Sequence, residues 1–167
     1  MAVVKGNVGS SVVAEFGERS MLAAGAKAGL KPVFQMSHFV GKSAGFKLKP
    51  GHTEWTDYDD WGAYFTERWG YAKGAFGSFT GAAFFDGKEI TALHVTNDTW
   101  TQNQGFLNLG NPTRNQNIKV TLAGHSGVFI VNVFKGTIQG WNNNSLPSGF
   151  INALKSGGPH DVKLEYI

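Results

Sequence analysis

Between His52 and Tyr71 the chain gathers the side chains best able to bind or react. The run His52-Thr53-Glu54-Trp55-Thr56-Asp57-Tyr58-Asp59-Asp60-Trp61 interleaves carboxylates with aromatic rings, and Tyr64, Trp69 and Tyr71 follow closely. Asp57, Asp59 and Asp60 could offer oxygen ligands to a hard cation such as calcium. The glycine and closing glutamate of an EF-hand loop are absent, so a solvated acidic loop is the expected reading, with no metal and no other cofactor. Indole and phenol rings stack on sugars or bases and also anchor protein interfaces. Trp55 and Tyr58, surrounded by charge, are expected at the surface, whereas Trp61 and Phe65 are expected in the core.

The remaining polar residues form no reactive constellation. His38, His52, His94, His125 and His160 are widely spaced and make no His-Glu-x-x-His pair, which gives a zinc hydrolase little support. His125 adjoins Ser126, but neighbouring side chains on a turn diverge, and a triad needs a third orienting group and an oxyanion hole. Val40-Gly41-Lys42-Ser43 ends like a phosphate-binding loop, yet Met36 and Ser37 stand where its first glycine belongs. Cysteine is absent, which excludes disulfides, thiol nucleophiles and thiolate metal sites. A non-enzymatic protein is expected.

The elements that must position these residues read as β from residue 61 onward. Asp86-Gly87 separates two β-prone runs and predicts a hairpin, since both central residues of a type I′ turn need positive φ. Ile118 to Leu122 and Val128 to Phe134 predict a second hairpin around the glycine loop 123–127, and residues 97–104 and 108–117 read as polar connections. In Val128 to Phe134, Phe129, Val131 and Val133 share one face while Val128, Ile130, Asn132 and Phe134 share the other. A strand apolar on both faces belongs inside a sandwich or under a neighbouring subunit. Pro147 to Lys155 predicts a short helix, and Val162 to Ile167 alternates as a closing strand. Before residue 51, Glu18 to Ala28 predicts a helix stopped by Gly29, and Val33 to Val40 an extended run. The fold class is therefore mainly β: an antiparallel sandwich or barrel spanning residues 51–167, with one or two short helices and an N-terminal arm over residues 1–50.

Charged residues make up only 16% of the chain, while glycine occurs 23 times; such a surface suits burial against partners. Residues 1–51 carry a net charge of +5, and residues 52–67 a net charge of −5, so the acidic segment could dock on basic surface of a neighbouring subunit. Only Arg19, Arg68 and Arg114 are arginines, a poor nucleic-acid footprint. Met1 to Gly9 contains no secretory signal pattern, and no apolar run is long enough to span a membrane as a helix. The candidate interface comprises Trp55, Asp57, Tyr58, Asp59 and Asp60 together with Phe129, Val131 and Val133.

The Gly/Ala/Lys-rich arm, the Phe-, Thr-, Asn- and Gly-rich strands, the lack of cysteine and the sparse charge together resemble structural proteins of tailed bacteriophage particles, such as head decoration, tail or fibre-base subunits. That resemblance is one of texture and carries no functional residue. It implies a virion subunit, either a capsid decoration or a tail component, that assembles with itself or with other virion proteins, its arm reaching a neighbour. A carbohydrate-binding β-sandwich, extracellular or on a cell surface, shares the same texture. Trp55, Tyr58, Trp141 and Asn142 would then contact the sugar.

Overall fold

The computed structural model describes residues 8–30, 46–59, 62–81, 83–99, 102–110 and 114–167. Side chains of Val8, Gly9, Asp57 and Asp59 lie outside that description, as do Asp60, Trp61 and the predicted extended run 33–40. The chain opens with α1 (Val8–Phe16) and α2 (Met21–Lys27). Val12, Phe16 and Ala24 form their own small apolar cluster, closed by Ala28 and Leu30. Lys27 Nζ ties the pair, donating to the Phe16 carbonyl at 3.0 Å and pairing with Glu18 at 2.6 Å. The predicted stop at Gly29 is a Schellman cap. Gly29 has φ +68°, its N–H reaches the Ala26 carbonyl, and the Leu30 N–H reaches that of Gly25.

The rest of the described chain is an antiparallel sheet of β1 (Phe46–Lys49), β2 (Gly51–Asp59), β3 (Gly62–Ala72), β4 (Ser78–Thr80), β5 (Phe84–Phe85), β6 (Lys88–Asp98), β7 (Gln104–Leu109), β8 (Ile118–Leu122), β9 (His125–Phe134), β10 (Thr137–Asn143) and β11 (His160–Tyr166). Their spatial order is β2-β3-β6-β7-β10-β9-β8-β11-β1-β4, with β5 on β6. Three two-residue turns set the local register: Asp86-Gly87, Ala123-Gly124 and Lys135-Gly136, each with positive φ at both positions. The first is the predicted hairpin. The second is tighter than the predicted five-residue loop, with Leu122 paired directly to His125. The third joins β9 to β10. The expected polar connection after residue 97 is shorter than its sequence suggests, because β6 continues to Asp98 and β7 begins at Gln104.

Two further expectations are corrected. The acidic segment is a strand and not a loop: β2 pairs with β3 over nine residue pairs, from Gly51↔Gly70 to Asp59↔Gly62. In addition, β1 precedes residue 51 yet sits inside the sheet, between β11 and β4.

The sheet curls until its ends nearly meet, giving an almost closed barrel. At the seam, Ala72 bridges Phe76, and Phe79 of β4 packs on Tyr71 of β3 at 4.3 Å and on Phe46 of β1 at 4.8 Å. Glycine makes this crossing passable. A Cβ on Gly77 would collide with the Gly70 carbonyl oxygen, and one on Gly51 with the Gly77 backbone. The interior is filled by Leu48, Phe85, Ile90, Leu93, Leu107, Ile118, Leu122, Phe129 and Trp141, all essentially inaccessible to solvent. The predicted last helix, α3 (Ser148–Lys155), buries Phe150, Ile151, Ala153 and Leu154. It touches β3, β6, β8 and β9, so it lies across one mouth of the barrel. Phe150 and Leu154 alone contribute about 1.5–3 kcal/mol each by burial.

Candidate functional site

The β2–β3 hairpin forms one border of the sheet, and its register sorts the aromatic and charged residues into two faces. Opposed residues in an antiparallel pair share a face. His52, Glu54, Thr56 and Tyr58 therefore lie with Trp69, Glu67, Phe65 and Ala63, while Thr53 and Trp55 lie with Arg68 and Thr66. Trp55 is 37% exposed and Tyr58 76% exposed, as the surrounding charge suggests. Phe65, expected in the core, is 46% exposed, because its strand extends past the residues that pack the interior. Tyr58, Phe65 and Trp55 thus present aromatic area to solvent on a single hairpin.

The two faces are braced differently. On one, the Arg68 guanidinium stands 4.5 Å from the centre of the Trp55 ring, a cation–π contact that holds the indole upright. Burial pushes the Arg68 pKa below its usual value, and the Asp98 charge partly offsets this. On the other, the His52 ring stacks on Trp69 at 5.1 Å and 19°, and Lys155 Nζ of α3 lies 4.2 Å from the same indole. Beside the hairpin, on the adjacent strand β6, His94 stands opposite Gly70 and is buried among Phe76 and Phe106, with its Nδ1 3.3 Å from Thr96 Oγ1. Burial, reinforced by the Arg68 charge, lowers the His94 pKa to about 4.

The structure separates the other candidate residues by burial. Phe129 is fully buried in the barrel, and Val131 packs partly against the same core, so Phe129 cannot be an interface contact. The exposed apolar residues of β9 are instead Val128, Ile130, Val133 and Phe134. Trp141 is 1% exposed and donates its indole N–H to the Gln116 carbonyl at 3.0 Å. No face of its ring is available to a sugar. Asn142 beside it is half-buried. Pairing with Leu107 and Val131 sets the register that turns Trp141 inward, and the local sequence offered no cue to it.

Both histidine–serine neighbourhoods are tied into the surrounding backbone and side chains. Ser126 Oγ bonds Thr121 Oγ1 at 2.9 Å, and the His125 ring covers Gly149 of α3. A cavity of about 480 Å³ opens between His125, Asn152, Ser156 and His160. Ser156 Oγ lies 2.8 Å from His160 Nε2 and donates to the Ala153 carbonyl at 2.9 Å. The hydroxyl has one proton. With that proton on the carbonyl, His160 is the donor to Ser156. Tyr166, Asp86 and Arg114 form a further polar cluster: the tyrosine hydroxyl donates to Asp86 at 3.2 Å, and Arg114 pairs with Asp86 at 2.9 Å. Burial, with the Asp86 charge, raises the Tyr166 pKa. This cluster clamps the Asp86-Gly87 turn to the last strand.

Among the described residues, His52, Glu54 and Glu67 are the group able to hold a metal ion, their ligand atoms lying within 4.8 Å of one another. Sequence spacing hid this group, since Glu67 joins it only through the hairpin register; the His-x-Glu alternation on β2 was the one local signal.

The similarity to known proteins lies in the first residues of the chain and not in the hairpin. Residues 1–40 match the family model of the phage tail fibre adhesin Gp38 N-terminal domain. The chain is similar to a tail fibre protein there. The match takes in α1 and α2 and ends before the barrel begins. It supports a tail or fibre component of a tailed phage, associated with the virion, and a setting among other virion proteins. No curated protein and no solved structure matches the chain. No helix of the described residues is long and apolar enough to cross a membrane.

Proposed function

We propose that the chain is a non-enzymatic tail-fibre subunit in which residues 1–40 attach to a neighbouring virion protein while the barrel presents its β2–β3 hairpin outward. The observation that carries this reading is the tail-fibre match confined to residues 1–40. That segment contains a helix pair with a cluster of its own, distinct from the barrel core. Val13, Met21 and Leu22 of this pair are exposed, Leu22 by 68%. Such apolar area on a two-helix unit is better matched to a partner than to water. Capsid decoration finds no comparable support.

The test is incorporation into particles. Met21→Asp/Leu22→Asp alters exposed positions and should leave the β-sheet circular dichroism unchanged. Phages complemented with this variant should contain much less of the protein by mass spectrometry than phages carrying the wild type. Wild-type copy number would overturn the attachment role.

A second reading, carbohydrate binding by the barrel, is favoured by the solvent-facing Trp55, Tyr58 and Phe65 on one hairpin. Its contacts would be Tyr58 and Phe65 on one face of the hairpin or Trp55 on the other, and not Trp141. A glycan array probed with wild type, Trp55→Ala and Tyr58→Ala decides it: hits abolished in either variant support it, and an array without hits rejects it.

A further inference from the structure

We propose that His52, Glu54 and Glu67 form a divalent transition-metal site of the zinc class on the β2–β3 hairpin. The hairpin register puts Glu54 directly opposite Glu67, and His52 two residues along on the same face. Like charges directly opposed across a strand pair destabilise it, and a divalent cation between them converts that repulsion into attraction.

The donor set selects the metal. One imidazole nitrogen and two carboxylates suit zinc and its neighbours, whereas calcium takes six to eight oxygens. His52 Nε2 stands 3.8 Å from Glu67 Oε1, too far for a hydrogen bond. That separation is close to the roughly 3.4 Å between two ligand atoms of a tetrahedral zinc with bonds of about 2.1 Å. The three ligand atoms lie within 4.8 Å of one another, and rotation of two partly exposed glutamates closes the remaining gap. Stacking on Trp69 at 5.1 Å already orients the His52 ring, as a supporting contact does for a metal-binding imidazole. Three protein ligands leave a fourth position open to solvent, for water or for a donor from a partner. A bound ion would pin the border strand β2 to β3 and stiffen the hairpin that carries Trp55 and Tyr58.

The tag-free full-length chain, stripped with chelator, should bind one equivalent of Zn²⁺ by titration calorimetry, and Zn²⁺ should raise its melting temperature through preferential binding to the folded state. Equal concentrations of Mg²⁺ or Ca²⁺ should not. His52→Gln and Glu67→Gln should each weaken Zn²⁺ binding on the order of tenfold or more, and Glu54→Gln, at an exposed position, gives the same reading should either fail to fold. His125→Gln/His160→Gln, which alters the two histidines lining the cavity beside α3, should bind Zn²⁺ as the wild type does. Absence of saturable binding, unchanged binding in the His52 and Glu67 variants, or loss of binding in the His125/His160 variant would each overturn the assignment.

Discussion

Acidification should destabilise the barrel through His94, and His94→Leu should remove that component of the pH dependence. His94 is 8% exposed and enclosed by Phe76, Phe106 and Thr96. Burial, and secondarily the Arg68 charge, lower its pKa from 6.5 to about 4. Arg68 cannot relieve the conflict by losing its own proton, since a guanidinium stays charged. Above the unfolded value of about 6.5 the ring is neutral in both states and the stability it confers is fully present. As pH falls from there towards about 4, the unfolded chain takes up a proton that the folded chain resists, so stability is lost across that window. The shift from 6.5 to about 4 corresponds to roughly 3 kcal/mol at about 1.4 kcal/mol per unit. That is a large part of a typical total of about 5–15 kcal/mol. Urea unfolding of wild type and His94→Leu, stepped from about pH 7.5 to about pH 4, reads the effect. Carboxylate titrations common to both proteins cancel, and the lost Thr96 contact adds a constant offset. The wild type should lose roughly 3 kcal/mol more than the variant over this range. Parallel curves would refute the reasoning.

Gly77→Ala should cost about 2–4 kcal/mol, combining a left-handed backbone of φ +69° with a Cβ driven into the Gly70 carbonyl at the barrel seam. Gly74→Ala, with φ +76° and no atom within 4 Å of its Cβ, should cost only the backbone share of about 1–2 kcal/mol. Denaturant midpoints of the two variants compare them, and equal losses would mean that the seam is not tightly packed. Gly87→Val places a β-branched residue at φ +73° and should lower stability by more than about 1 kcal/mol. Thermal melts should show the drop, and an unchanged melting temperature would contradict the type I′ turn.

Local chemistry was enough to reveal the turn at Asp86-Gly87, the helix stop at Gly29, the helix ending at Lys155 and the alternation of the last strand. Each depends on residues adjacent in sequence, whose φ preferences or periodicity act before any distant contact forms. The mainly β antiparallel class followed from the same signals. Exposure of Trp55 and Tyr58 was legible as well, because charge on both sides of a ring disfavours its burial. The tertiary structure decided what depends on pairing between distant segments. Charge made residues 52–59 look like a loop, yet nine cross-strand partners in β3 hold them extended. The two-sided apolar pattern of β9 left its inward face undetermined. Pairing with β8 turns Phe129 into the core alongside Ile118 and leaves Val128 and Ile130 to solvent. Trp141 looked available among asparagines until its register put the ring inside the barrel. Glu67 lies thirteen positions after Glu54 in the chain but opposite it in the sheet, and this closure of the hairpin creates the His52–Glu54–Glu67 group. A shift of one residue in register exchanges inward and outward faces, so no count of residue types along the strand could assign these side chains to core or surface.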